Sequence, residues 1–519
     1  MQKEIIKKTG IDDMSMLEEV ILKMIVVTWR ICKWFFLQIF LMYLMPYLWN
    51  NHFDGKTICL ILFYTALYAI YWETIPKDKR WHWLSLPFFV YSSIAILFCG
   101  LIKTWNVSVW YSFLLPLYGA MCVILIKICR KQLRRIHNKY RFGRMTTYIA
   151  VLLFFIVLKS ISVSWECSKR NSFEKEDILE RKDYLLDKLL VNPQAVLNEM
   201  PTLIGTQFQG EWALYSCSML SAALVNISQL YPETKEENIQ YIDSLINIVM
   251  SPALRYYDKM RWHEDPLESL DGDESHVSYL SHLAWMICGY KQIGGDSKYD
   301  KLLSSLCGTM NRRLLKRSAL NLPTYPGESI YIPDMLVAIV ALNQYADMNN
   351  GKYRSTVKKW VKRAQKDWID DKTGLLVSFL QENGNQYEEV PVKGSYSVLN
   401  CYYLTFIDET FANQQYETLK SLFWKDGAIS GLKEYYDRTC YLGLDIDAGP
   451  ILFELSPSGT AFMTGAATYF NDSKTRNDIL TTAEIAGHTV RLNCKRHYLL
   501  ANVALVGEAI MLAMRTHFK

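Results

Sequence analysis

From about residue 200 the chain alternates two kinds of helix, and this alternation restricts the fold more than any other feature. One kind is apolar all round and rich in small residues, as in Trp212-Ala-Leu-Tyr-Ser-Cys-Ser-Met-Leu-Ser-Ala-Ala, Met335-Leu-Val-Ala-Ile-Val-Ala-Leu and Gly459-Thr-Ala-Phe-Met-Thr-Gly-Ala-Ala. The other is charged and one-sided, as in Ser297–Leu303 and Lys352–Asp367. A helix that is apolar all round must be buried, and a one-sided helix covers it. The apolar set starts near Glu211, His276, Tyr331, Ser395 and Pro457, with a last member near Leu500, about sixty residues per pair. Five or six inner/outer pairs predict an (α/α)6-type toroid; an open α-solenoid is the competing architecture. Asp371–Leu380 and Ala428–Tyr435 are expected as small hairpins at the rim.

Residues 1–165 have a different character. Trp34–Asn50, Thr57–Trp72, Leu84–Leu101, Val109–Ile126 and Thr147–Val163 have the length and low charge of membrane spans, with Trp and Tyr crowding their ends. Met14–Lys33 is either an interfacial helix or part of a longer, tilted first span. The expected fold class is therefore all-α. A bundle of about five transmembrane helices (1–165) precedes a linking helix (166–205, with Phe173–Leu190 amphipathic) and the toroid (206–519).

The net charge of +5 is unevenly spread. Lys and Arg gather at Arg30 and Lys33, at Lys77, Lys79 and Arg80, and in Lys127–Arg144. With five spans these loops share one side, which is cytoplasmic by the positive-inside rule. The N-terminus is then cytoplasmic, the C-terminal domain extracytoplasmic, and the lipid bilayer a partner. No zinc-finger or RNA-binding pattern accompanies the basic run, so no nucleic-acid partner is expected.

The 12 cysteines include no Cys-x-x-Cys pair. Nucleophile-elbow, phosphate-loop and dinucleotide motifs are missing from the sequence, which argues against ATP-driven transport and nicotinamide chemistry. Asp271-Gly-Asp-Glu falls short of a calcium loop. No metal and no cofactor are expected. The sequence leaves the oligomeric state open.

In a toroid the starts of all inner helices surround one cavity mouth. Five polar, aromatic segments precede those starts: Gln207–Trp212, Asp271–His276, Tyr325–Asp334, Val392–Ser397 and the run from Glu434 to Pro450. Backbone N–H groups at helix N-termini also point there and favour an anion. Acid/base catalysis is expected from Asp447, Asp445, Glu328, Asp334 and His276. Asp447, beside the Gly449-Pro450 break, is preferred over Asp445, and both also suit turns and helix caps. Glu211, Trp212, Asp273, Tyr325, Tyr331, Lys393, Tyr396, Glu434, Tyr436, Cys440 and Tyr441 are expected to line the cavity and bind substrate. Aromatic walls suit sugar rings, isoprenoids and cations equally.

The alternation, together with Tyr325-Pro-Gly-Glu328, Pro333-Asp334 and Asp445-Ile-Asp-Ala-Gly-Pro450, resembles the linalool dehydratase/isomerase-like group of α/α toroids over roughly 200–515. The resemblance implies a cofactor-free lyase or isomerase acting on an apolar substrate or an alcohol. Two alternatives remain. One is a glycan-active hydrolase, lyase or epimerase using Glu328 with Asp445 or Asp447 as acid and base. The other is a non-enzymatic extracytoplasmic binding module.

Overall fold

The computed structural model describes residues 157–519, apart from 158, 171, 201–205, 438, 439, 441, 446 and 503. Four of the five expected spans, most of the fifth and all the basic loops lie outside the described residues, as does Tyr441. The chain divides into two compact units, Met1–Ala150 and Val151–Lys519, and the described residues all belong to the second.

In chain order its helices begin with α1 (Glu174–Leu189), α2 (Pro193–Glu199), α3 (Thr206–Leu230), α4 (Lys235–Val249), α5 (Pro252–Trp262), α6 (Val277–Gln292) and α7 (Asp300–Lys316). They continue with α8 (Ile332–Met348), α9 (Arg354–Asp367), α10 (Gly394–Leu404), α11 (Glu409–Phe423), α12 (Pro457–Tyr469), α13 (Ser473–Gly487) and α14 (Leu505–Arg515). Among the described residues α3, α6, α8, α10, α12 and α14 form an inner ring. Each packs on the next, and α14 packs back on α3. That closure distinguishes a toroid from an open solenoid. Outside the ring lie α4, α7, α9, α11 and α13, with α1 packed on both α14 and α3 at the seam.

Composition explains the layering. Every residue of α6 from Val277 to Tyr290 is buried, and so is all of α10. Outer helix α9 buries only Thr356, Val357, Trp360, Val361 and Ala364, one stripe at helical spacing. The Phe208–Leu230 part of α3 is long and apolar enough to cross a membrane, but it is a largely buried inner helix of the ring.

Ion pairs fasten the seam. Arg181 of α1 reaches Glu508 of α14 at 2.7 Å, and Asp177 of α1 takes Arg515 at 2.6 Å and Arg496 at 2.8 Å. Burial alone would push the Asp177 carboxyl up, but three guanidinium groups hold it well below the usual range.

Among the described residues four two-stranded antiparallel pairs decorate the ring: β1 (Ile330–Tyr331) with β2 (Phe379–Leu380), β3 (Trp424–Lys425) with β4 (Gly431–Leu432), β5 (Leu442–Asp445) with β6 (Gly449–Leu452), and β7 (Thr489–Leu492) with β8 (Lys495–Tyr498). In place of the hairpin expected at Ala428–Tyr435, the β3–β4 pair runs from Trp424 to Leu432, starting four residues earlier. Asp371–Leu380 instead turns at Gly374, bridges Ile369 to Leu376, and then feeds β2 to the front of α8. At the start of α10 the chain needs glycine. Gly394 donates to the Glu434 carbonyl at 2.9 Å, and an added Cβ would sit 2.1 Å from the Lys433 carbonyl oxygen.

Candidate active site

Two acids from non-adjacent inner helices, Glu211 of α3 and Asp334 of α8, lie within electrostatic reach of each other. Asp334 follows Pro333 in the first turn of α8, where proline's missing N–H costs nothing. Its Oδ2 accepts from Thr324 at 2.7 Å, and its Oδ1 accepts from the Tyr215 hydroxyl at 2.9 Å. Tyr215 belongs to α3, so this bond crosses the bore in front of α6. Glu211, one turn before Tyr215 on α3, lies beside Tyr325. Arg261 stacks on the Tyr325 ring at 4.2 Å and pairs with Glu328 at 2.7 Å.

The two carboxyls are tuned apart. Burial, then the negative field of Asp334, raises Glu211 to about 8, against partial relief from Tyr325. Burial also raises Asp334, to about 6, with the Thr324 and Tyr215 hydrogen bonds opposing it and Asp447 and Glu328 adding to it. Both side chains are nevertheless only half-buried. A carboxyl that is desolvated by surrounding protein yet still touched by solvent lies at the bottom of a cleft.

The β5–β6 hairpin forms a second acidic group above this floor. Asp445 ends β5, and its Oδ1 accepts the N–H groups of Asp447 and Ala448 at 3.0 Å each. Its Oδ2 accepts from Lys393 at 2.6 Å. Burial disfavours its charge, but Lys393 and the two amides lower its pKa below the ordinary value. Asp445 thus shapes the turn and holds Lys393. Asp447 projects from that turn with its surface largely open. Its carboxyl is raised by the protein around it, against the pull of Tyr396 and Lys393. Its charge acts on both Asp334 and Glu211.

Glu434 is fully buried and caps α10, accepting from the Ser395 amide at 3.2 Å and the Ser395 hydroxyl at 2.9 Å; burial raises it to about 7. Tyr331, Tyr396 and Phe379 form an aromatic wall with ring centroids 5.0 to 6.0 Å apart, and the Lys393 ammonium lies 5.4 Å from the Tyr396 ring. Tyr331 makes no side-chain cap for α8; the Ile332 N–H instead donates to the Ser378 carbonyl at 3.3 Å, and Pro333 has no N–H to satisfy.

The structure therefore brings together Glu211, Asp334, Asp447, Asp445, Glu328, Lys393, Glu434, Tyr325, Tyr331 and Tyr396. Other candidates lie elsewhere. His276 is buried between Asp258 (2.5 Å from Nδ1) and Glu264 (3.0 Å from Nε2), not among the acids at 271, 273 and 274. It holds the end of α5 to the start of α6. Asp273 is 61% exposed and pairs with Arg312 and Lys316 of α7. Tyr436 packs on Phe423 of α11. Trp212, next to Glu211 in α3, and Cys440, just before β5, are half-buried, and their burial alone does not place them in or out of the site. Tyr215, Thr324 and Arg261 join the site without having been expected there. Tyr215 had a signal, since a residue four positions after Glu211 shares its helix face. Thr324 and Arg261 are placed by tertiary folding alone. Among the described residues no cluster of His, Cys, Asp and Glu is arranged to hold a metal ion.

No protein-family model and no curated protein matches the sequence. Solved structures do align, each over 58% of this chain. A family 105 glycoside hydrolase of C. acetobutylicum aligns over 93% of its length at 11% identity and a TM-score of 0.41. An unsaturated glucuronyl hydrolase specific for heparin aligns over 85% of its length at 12% identity and 0.40. An inactive variant of a Salegentibacter sp. α-1,6-mannanase, in complex with α-1,6-mannotriose, aligns over 89% at 11% identity and 0.38.

Proposed function

We propose that this cleft is the active site of a glycan-active enzyme that breaks glycosidic bonds by acid/base catalysis. One observation carries the reading: Glu211 and Asp334 lie within electrostatic reach of each other, both half-buried, with burial pushing their carboxyls up to about 8 and about 6. At neutral pH Glu211 then holds its proton and Asp334 has lost its own, the division of labour that two-carboxylate hydrolysis needs. Asp334 takes a proton from water as its oxygen attacks the anomeric carbon. The glycosidic C–O bond breaks, and Glu211 protonates the departing alcohol. Tyr215 and Thr324 hold Asp334 in place, and burial with the Asp334 charge, aided by Asp447, keeps the Glu211 proton.

The lining favours a polyhydroxylated substrate. Carboxylates, two cations and several tyrosine hydroxyls surround the acids, and Tyr331, Tyr396 and Phe379 offer faces for a sugar ring. The same acid/base pair would serve a lyase or isomerase, but an apolar alcohol would have to desolvate this rim without replacing its hydrogen bonds. In this reading residues 1–165 anchor the chain in a bilayer, with the toroid on the extracytoplasmic side.

The test is release of reducing ends from a panel of neutral and acidic oligosaccharides by the full-length protein. Activity is expected to rise through about pH 6 and fall through about pH 8. Asp334→Asn and Glu211→Gln are each expected to cost about 10²- to 10⁴-fold. Activity on a terpene alcohol, with none on any glycan, would reject the reading.

A further inference from the structure

Below the carboxylates the bore of the ring is polar. The Trp285 ring of α6 meets the Tyr403 ring at the end of α10, with centroids 5.7 Å apart. Helix α8 separates α6 from α10 around the ring, so this contact crosses the bore. Tyr403 also lies within electrostatic reach of Tyr215 and Asp334, which ties it to the cleft floor. Asn400 precedes Tyr403 by three positions and shares its side of α10, and Ser397 lies a further three positions toward the helix start.

Several buried side chains here carry a polar atom with no protein partner among the described residues. Ser397 Oγ, both side-chain atoms of Asn400, the Tyr403 hydroxyl, His282 Nε2 and Gln344 Oε1 have no hydrogen-bond partner among the described residues. All five residues are at least nine-tenths buried. His282 adds direction. Its ring lies 4.3 Å from Tyr215, and its Nδ1 is 2.8 Å from the Ser218 hydroxyl, further along α3. Burial depresses its pKa to about 3, so the ring is neutral and Nε2 needs a partner of its own. Ser218, Trp285 and Gln344 then line a cavity of about 20 Å³, room for one water molecule.

So many orphaned groups in a dry core would be a large and concentrated penalty. Water removes it, because a buried molecule typically satisfies two to four such groups at once. We propose that the bore holds a file of ordered water molecules. They are bound by Ser397, Asn400, Tyr403, His282 and Gln344, and the file runs from beneath Asp334 to the cavity at Ser218. If the cleft hydrolyses glycans, the file also places a water reserve and a proton path behind the base. That consequence rests on the proposed function, whereas the water binding does not.

The test uses full-length protein and two variants, read by high-resolution structure and by thermal unfolding. Tyr403→Phe keeps the ring and removes the hydroxyl; Asn400→Leu keeps the volume and removes the amide. In a hydrated bore each removes water-mediated bonds, and the unfolding temperature falls by a few degrees. Density peaks are then expected within hydrogen-bond distance of the Tyr403 hydroxyl and Asn400. In a dry bore each variant relieves an orphaned group and the unfolding temperature rises. Such a rise, or a bore free of density at a resolution that shows surface water, overturns the proposal. Tyr403→Phe decides alone should Asn400→Leu fail to fold. Neither readout depends on enzyme activity, so failure here leaves the oligosaccharide assay to judge the catalytic reading.

Discussion

Glu211→Gln should make the toroid more stable, and only at high pH. Glutamine keeps the size of the side chain and abolishes its titration. Glu211 has an ordinary value of 4.5 and sits at about 8 in the fold. Between those values the folded state holds a proton that unfolding releases, so the parent loses stability as pH rises through the window. The rise from 4.5 to about 8, at 1.36 kcal/mol for each pH unit, gives a ceiling of about 5 kcal/mol. Solvent reaches the cleft floor and screens part of this, leaving an expected gap of about 2–3 kcal/mol. Urea unfolding followed by tryptophan fluorescence, at pH 5 and pH 9, measures it. At pH 5 both proteins carry a neutral side chain, and their midpoints should agree within about 1 kcal/mol. At pH 9 the parent must bury a charge and the variant must not. A gap that is equal at both pH values, or that favours the parent at pH 9, would show that Glu211 is not held protonated, and the acid/base assignment would fall with it.

Three further outcomes are expected, the first two from the geometry of the ring and the third from the charge of the N-terminal loops. Gly394→Ala forces a methyl group against the Lys433 carbonyl, and should cost about 1–3 kcal/mol in urea unfolding. Asp177→Asn strips the charge that pairs Arg515 and Arg496 at the ring seam, and should cost about 3–5 kcal/mol in the same assay. In sealed vesicles, protease added to the cytoplasmic face should leave residues 170–519 intact; digestion from that side would reverse the topology.

The ring was legible in the sequence because it is written in bulk properties. Apolar, small-residue helices such as α6 and α10 have nowhere to go but inside, and one-sided helices such as α9 must cover them. The starts of α6, α8, α10 and α12 fall within one residue of the expected positions, with Pro333 marking α8 and Ser456 and Pro457 marking α12, whereas α3 starts five residues before Glu211 and α14 five after Leu500. The convergence of polar segments on one mouth followed from that layout.

The division of roles did not follow, and the reason is physical. Asp445 and Asp447 are conspicuous as a pair, yet one binds its own turn and Lys393 while the other leans into the cleft. Asp334 reads as an ordinary first-turn acid, and Glu211 sits a full turn inside α3, where no cap or turn signal marks it. What makes these two a pair is burial beside each other across the bore, a property of helices some 120 residues apart in the chain. The same is true of His276, whose partners Asp258 and Glu264 lie 18 and 12 positions earlier and are joined to it only when α5 meets α6. Local spacing can nominate acids, but a pKa is set by everything around the group in three dimensions. The assignment of acid and base therefore belongs to the closed ring as a whole. It follows that changes distant in sequence but facing the bore, at Tyr215 or Tyr403, should move the pH dependence of the cleft as directly as changes to the acids' neighbours in the chain.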